Sequence, residues 1–163
     1  MDYGLALAFT GASLATFLSG IGSSIGLGIG ARSAEGILSE KPEQYGLMTL
    51  LVVLPSTQGI YGLVISLFVM IKINLFGEDG LTDITLNQGL MIFGACLSVG
   101  FAGLFSGIHQ GKTCAGGILM TAKRPEMSVK AGVLYAAMVE FYAILGFLIS
   151  FLIVFVGINI SVS

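Results

Sequence analysis

The stretch from residue 3 to residue 31, YGLALAFTGASLATFLSGIGSSIGLGIGA, contains no charged side chain. It is longer than the roughly 20 apolar residues that an α-helix needs to cross a hydrocarbon core about 30 Å thick. Residues 44–71 and 84–111 are also uncharged, and residues 131–163 contain one charged side chain, Glu140. These four runs predict an all-α membrane protein with four transmembrane helices.

The composition of the 163-residue chain excludes several other classes of protein. Hydrophobic residues make up 55% and charged residues 10%, whereas an ordinary soluble domain is about 25% charged. The net charge of −2 provides no nucleic-acid footprint, and the short connections leave no room for a nucleotide-binding domain. Cys96 and Cys114 lack metal-ligand spacing, so we expect small packing residues there.

Charged breaks that contain glycine or proline separate the four runs, at residues 39–43, 76–83 and 123–126. Six of the seven basic residues lie at or next to the first and third breaks. The positive-inside rule therefore predicts that the loops near Lys41 and Arg124 are cytoplasmic and that both termini face the other side of the membrane.

The two halves of the chain repeat one another. Glycines at four-residue spacing occur in the first run and again 81 residues later: Gly22, Gly26, Gly30, Gly103, Gly107 and Gly111. This repeat predicts two tandem helical hairpins, residues 1–80 and 81–163. Small residues on one face allow close approach, so we expect the first and third helices to crowd together inside a bulkier layer formed by the other two.

Glu140 lies near the middle of the fourth run, within residues 136–146, AAMVEFYAILG. An ionised, unpaired carboxylate at that depth is strongly destabilised by the loss of its hydration. No lysine or arginine lies at mid-membrane depth elsewhere in the chain, so a salt bridge is not expected. A proton or a metal ion is left as the partner of Glu140.

Polar residues of the second run lie at a similar depth. Thr57, Gln58 and Tyr61 can share one helical face. Pro55 cannot donate a backbone hydrogen bond, which leaves a carbonyl such as that of Leu54 available as a ligand. Alone, Thr57 and Gln58 would be interpreted as interhelical hydrogen-bonding residues.

Gln110, in the third run, adds another amide to this set. Neutral oxygens with a single carboxylate suit a monovalent cation, because Ca²⁺ and Mg²⁺ sites bring more carboxylates and transition metals prefer His or Cys. A proton carrier needs only the carboxyl group, so the surrounding oxygens favour Na⁺ over H⁺. His109 is expected to be a polar residue near the cytoplasmic interface.

Three motifs carry a resemblance to a known family: LPSTQGIYG at 54–62, FSGIHQGK at 105–112 and AAMVEFYAILG at 136–146. With them the chain resembles the duplicated four-helix rotor proteolipid of V-type ATPases, the c subunit or subunit K, in its sodium-type form. The resemblance implies that Na⁺, or alternatively H⁺, binds at Glu140. In sodium-type members the ligands correspond to Leu54, Thr57, Gln58, Gln110 and Glu140, and Tyr61 corresponds to a tyrosine that hydrogen-bonds the carboxylate and closes the site.

The family also implies an assembly. Identical copies form a two-layered ring in the bacterial plasma membrane, which turns against a stator subunit that has an essential arginine. The cytoplasmic loops contact a central-stalk subunit, membrane lipids surround the ring, and ATP hydrolysis takes place on other subunits. A free-standing four-helix cation exchanger and a structural or pore-forming membrane protein are the alternatives.

Overall fold

The computed structural model describes residues 3–78 and 80–158. The α-helices are α1 (Tyr3–Leu38), α2 (Tyr45–Val53), α3 (Thr57–Lys72), α4 (Leu86–Lys123) and α5 (Leu134–Leu152). Within those residues there is no β-strand. The chain ends, on which part of the topology prediction depends, lie outside this description.

Four helical stretches of the described residues are long and apolar enough to cross a membrane, which confirms the prediction of four spans. In chain order, they are Tyr3–Leu38, Pro42–Lys72, Leu86–Lys123 and Ser128–Gly157. We refer to them as the first to fourth spans. Each connection between consecutive spans coincides with one of the charged breaks.

The first and third spans are in direct backbone contact, as the glycine spacing predicts. A Cβ atom added at Gly26 would overlap the carbonyl oxygen of Gly107, and one added at Gly107 would lie 2.6 Å from the carbonyl carbon of Gly22. A Cβ atom at Gly111 would in turn overlap the backbone of Gly26. Only glycine permits this approach, and α1 and α4 form the most extensive helix pair of the described residues.

The second span is interrupted at Pro55. The segment Leu54–Ser56 forms a 3₁₀ turn between α2 and α3, with Pro55 buried. Proline removes a backbone donor and its ring clashes with the preceding turn, so the local change in helix type follows from the sequence. The fourth span has π-helical turns at Ser128–Val133 and Ile153–Gly157, which no sequence signal predicts.

Serine hydroxyls tie the two helices of each hairpin together. The Ser66 hydroxyl, on α3, donates to the carbonyl oxygen of Ala12 at 2.5 Å, and the Ser150 hydroxyl, on α5, donates to that of Ala95 at 2.6 Å. A serine-to-carbonyl hydrogen bond therefore joins the two helices in both halves of the chain, in keeping with their repetition.

Two apolar clusters lie along the bundle. One includes Ala8, Val69 and Val154, and the other, toward the loops at residues 39–43 and 123–126, includes Met48 and Ile118. The free cysteines are buried as expected, with Cys96 in the first cluster and Cys114 in the second. The buried amides of Gln58 and Gln110 belong to neither cluster.

The loops near Lys41 and Arg124 lie at the same end of the bundle. The Lys41 ammonium donates to the carbonyl oxygen of Ala122, in the last turn of α4, at 2.6 Å. A cation at a helix C-terminus also interacts favourably with the helix dipole. The two loops thus face the same side of the bundle.

We expect Gly107→Ala to destabilise the protein by about 1–3 kcal/mol or more, because the new methyl group meets backbone atoms that cannot move aside. Gly116→Ala, also on α4, is the matched control, since nothing lies within 4 Å of a Cβ atom there. Thermal unfolding in detergent measures the difference. Equal midpoints for the two variants would contradict the close backbone contact.

Candidate ion-binding site

Glu140 is half-buried on α5, and its carboxyl group accepts two hydrogen bonds from neutral side chains. The Tyr61 hydroxyl donates to Oε1 at 2.6 Å, and Gln110 Nε2 donates to Oε2 at 3.3 Å. In the part of the chain that the structure describes, the one ion pair is the exposed Arg124–Glu126 pair, at 3.9 Å. No basic side chain among these residues neutralises Glu140.

A chain of hydrogen bonds sets the orientation of the two buried amides. Gln110 Nε2 donates to the carbonyl oxygen of Ala136 at 3.0 Å, which can only accept. Gln110 Oε1 therefore faces Gln58 and accepts from its Nε2 at 2.7 Å. Since both amides are fully buried, this arrangement leaves the Gln58 oxygen directed toward Thr57, at 3.5 Å from the Thr57 hydroxyl.

Three oxygen atoms come together around Thr57. Its hydroxyl lies 3.1 Å from the Leu54 carbonyl oxygen and 3.5 Å from Gln58 Oε1. Oxygens bound at right angles to one hard cation, at about 2.3–2.6 Å, are themselves roughly 3.2–3.7 Å apart. The spacing between the Thr57 hydroxyl and Gln58 Oε1 falls within this range, whereas the spacing between the Thr57 hydroxyl and the Leu54 carbonyl is just below it and is that of a hydrogen bond.

The 3₁₀ turn at Pro55 produces this grouping. The Leu54 carbonyl accepts from both the backbone N–H and the hydroxyl of Thr57. The turn thus aligns the carbonyl of residue 54 with the side chain of residue 57, and Gln58 follows immediately. Gln110 contributes differently, because in this structure it presents its N–H to Glu140 and its oxygen to Gln58. One lone pair of that oxygen remains available.

Ser106 also contacts this network, and its position in the FSGIHQGK motif does not by itself predict a role. Its hydroxyl donates to the Val139 carbonyl oxygen at 3.0 Å and accepts from Gln58 Nε2 at 3.4 Å. The only signal available beforehand is its spacing of four residues from Gln110, which places both on one face of α4. Ser106 supports the orientation of Gln58 and joins it to α5.

The first hairpin has no equivalent carboxyl group. Gly59 precedes Glu140 by the repeat distance of 81 residues and lies on α3. Its backbone N–H donates to the Ser23 hydroxyl at 2.7 Å. Away from the span ends, where Glu35 and Glu43 lie, the four spans therefore contain one carboxylate, that of Glu140.

His109 does not join the buried network, although it neighbours Gln110 in sequence. It is exposed and lines a groove of about 590 Å³ between α4 and α5. Among residues 3–78 and 80–158 no three His, Cys, Asp or Glu side chains are grouped so that they could hold a metal ion. The candidate site thus consists of neutral oxygens and a single carboxylate.

A duplicated helical hairpin with one intramembrane carboxylate is the arrangement of a membrane proteolipid. The ATP synthase C-subunit family matches the chain twice, over residues 10–69 and residues 93–153, and the chain belongs to this family. It is 44% identical over 160 residues to V-type sodium ATPase subunit K of Enterococcus hirae, covering 94% of this chain and 97% of the relative.

Two further relatives show how widely this sequence pattern occurs. A-type ATP synthase subunit K of Methanocaldococcus jannaschii is 41% identical over 142 residues, or 87% of this chain and 60% of the relative. The 16 kDa proteolipid of the human V-type proton ATPase is 32% identical over 131 residues, or 78% of each chain. The chain is thus an integral membrane proteolipid of the V- and A-type ATPase kind.

We expect Gln110→Leu to destabilise the protein by about 1–3 kcal/mol for each buried polar group that it leaves unpaired. The group concerned is the Gln58 N–H whose hydrogen bond Gln110 Oε1 accepts; the Ala136 carbonyl, within α5, keeps its helical hydrogen bond. His109→Leu, on the exposed side of the same turn, serves as the control and should leave the unfolding midpoint nearly unchanged. Thermal unfolding in detergent compares them, and a Gln110→Leu midpoint equal to that of wild type would argue against the network.

Proposed function

We propose that this chain is a rotor subunit of a V-type ATPase and carries Na⁺ across the membrane at Glu140. Identical copies form a closed ring with the first and third spans inside and the other two outside. ATP hydrolysis on other subunits turns the ring against a stator subunit, so the chain itself catalyses no reaction. The proposed ligands are Leu54, Thr57, Gln58, Gln110 and Glu140.

The observation that carries this proposal is the group of oxygens around Thr57, linked through Gln58 and Gln110 to Glu140. One formal negative charge with several neutral oxygens matches a monovalent cation. The Enterococcus hirae relative is named as a subunit of a sodium ATPase, which supports the same ion.

H⁺ is the alternative cargo, and one observation favours it. Tyr61 and Gln110 already provide hydrogen bonds to both oxygens of Glu140 without a metal ion. The human relative is named as part of a proton ATPase. In that case the buried amides would serve to orient the helices rather than to bind the cargo.

The proposed mechanism follows from the charge of the site. With Na⁺ bound, Glu140 is neutralised and can face lipid as the ring turns. Once emptied, the carboxylate carries its full desolvation cost and is confined to the stator, where the family places an arginine. Tyr61 closes the loaded site by donating to the carboxylate. Rotation is therefore gated by occupancy.

The repeat adds an energetic consequence to this mechanism. Because Gly59 replaces the carboxylate of the first hairpin, four helices carry one ion. When fewer ions are carried per turn of the ring, more free energy is available to move each ion. This suits a pump, because moving one charge against the membrane potential costs about 2.3 kcal/mol per 100 mV. Net ATP synthesis by the intact enzyme under a physiological gradient would argue against its operation as an ATP-driven pump.

The surface of the chain fits the proposed partners. Many large apolar side chains remain exposed on the spans, including Phe101, Leu148 and Ile149, and we assign them to neighbouring copies and membrane lipids. The loops near Lys41 and Arg124 share one end of the bundle, where we place the central stalk on the cytoplasmic side. The proposed membrane is the bacterial plasma membrane.

Carbodiimide labelling of Glu140 in the detergent-solubilised ring tests the ion, because only the protonated, unliganded carboxyl group reacts. Between about pH 5 and 9, we expect millimolar or lower Na⁺ to slow labelling in competition with protons, and K⁺ to have no effect. If pH alone controls the rate, the cargo is H⁺.

Gln58→Leu sharpens this experiment, since it removes one proposed ligand and leaves the carboxyl group in place. The half-protecting Na⁺ concentration should rise roughly ten- to hundredfold. The pH dependence in Na⁺-free buffer should change far less. Equal effects of Gln58→Leu on the half-protecting Na⁺ concentration and on the pH dependence would indicate that Gln58 has a packing role only.

Glu140→Gln should abolish Na⁺ transport and sodium-dependent ATPase activity, because the neutral amide cannot alternate between charged and neutralised states. Uptake of ²²Na⁺ by proteoliposomes containing the intact enzyme measures transport. Native mass spectrometry should show the same ring as wild type. Retained transport would overturn the assignment, and absence of any closed ring in the wild-type sample would favour a free-standing exchanger.

A further inference from the structure

An aromatic seam joins the second and fourth spans, on the side of Glu140 toward the break at residues 76–83. On α5, Phe147 lies seven residues after Glu140 and so on the same helical face, and Phe151 follows it one turn later. Phe155 lies beyond α5, in the π-helical segment Ile153–Gly157. On α3, Phe68 follows Tyr61 by the same spacing as Phe147 follows Glu140. We call these four phenylalanines and Tyr61 the aromatic seam.

The rings of the aromatic seam contact one another in sequence. The ring centroids of Tyr61 and Phe147 are 5.6 Å apart, and those of Phe147 and Phe151 are 6.4 Å apart. Phe68 packs against Phe151 at 5.7 Å and against Phe155 at 4.9 Å. At the far end, the Lys72 ammonium lies 5.9 Å from the centroid of the Phe155 ring.

Tyr61 occupies the end of this seam and has two different neighbours. Its hydroxyl donates to Glu140 at 2.6 Å, whereas its ring packs against Phe147. The ring is half-buried, so packing around it is incomplete and Phe147 is the aromatic side chain that contacts it. Tyrosine in such a position can turn outward by rotation about its side-chain bonds.

We propose that Phe147 is a positioning residue that holds Tyr61 over Glu140 and thereby sets how often the site opens. It touches neither the ion nor the carboxylate. Contact between the two rings stabilises one orientation of the Tyr61 side chain, and that orientation places the hydroxyl on Glu140. This inference deepens the proposed function and rests on it for the role of closure in transport.

The test uses carbodiimide labelling of Glu140 in the intact detergent-solubilised ring, in Na⁺-free buffer at one pH. Phe147→Ala should label roughly three- to tenfold faster than wild type, the range expected for losing one aromatic pair. Phe147→Tyr restores an aromatic side chain at this position and should restore the wild-type labelling rate. Phe155→Ala, in the same seam but next to Lys72, is the matched control and should also label at the wild-type rate.

A second background separates positioning from a general loosening of the bundle. In oligomeric rings of the Tyr61→Phe variant the tyrosine hydroxyl is absent, so adding Phe147→Ala should change the labelling rate by less than about twofold. Equal acceleration in both backgrounds, or acceleration by Phe155→Ala, would overturn the proposal. Phe147→Leu retains most of the volume and protects against a folding failure; a wild-type rate in that variant would also overturn the role of the ring.

These outcomes are independent of the ion. If Na⁺ fails to protect wild-type Glu140, the sodium assignment fails while the Na⁺-free rates still decide the role of Phe147. If Na⁺ protects and the Phe147 variants label like wild type, the sodium site stands and the positioning role fails.

Discussion

The cost of placing a carboxylate in the middle of a membrane span is the constraint on which the rest of the structure depends. Glu140 has no basic partner among the described residues, so it must be neutralised by a proton or by an ion and surrounded by neutral polar groups. Tyr61 and Gln110 provide the surrounding groups from two other spans. The site can exist only where three helices approach closely.

Glycine provides this approach. Between the first and third spans, the backbones of Gly26 and Gly107 leave no room for a Cβ atom. The third span is therefore drawn into the bundle, where Gln110 reaches both Gln58 and Glu140. The 3₁₀ turn at Pro55 acts on a smaller scale, because it groups carbonyl, hydroxyl and amide oxygens within one helical turn. The glycine contact between the first and third spans and the 3₁₀ turn at Pro55 therefore both position the polar groups of the site.

Much of this could be predicted because the membrane restricts the choices. Uncharged runs of this length favour membrane-spanning helices, and a lone acid within one of them marks a candidate functional site. The polar residues at 57, 58 and 110 were predicted as candidate ligands from their depth taken together with the presence of Glu140. Ser106 was not, because a serine among glycines is equally typical of plain helix contact, and the π-helical turns of the fourth span have no local signal.

By itself the sequence determined the four spans, their pairing into hairpins and the identity of the single intramembrane acid, since these depend on hydropathy, charge and spacing along the chain. Only the tertiary structure decided which atoms of those residues face one another. The orientation of the Gln58 oxygen follows from the hydrogen bond that Gln110 donates to the carbonyl of Ala136, which is 78 residues from Gln58 in the chain. The contact between Tyr61 and Phe147 likewise arises between separate helices. Hydrogen-bond direction and ring packing require atoms brought together by folding, so no linear pattern encodes them.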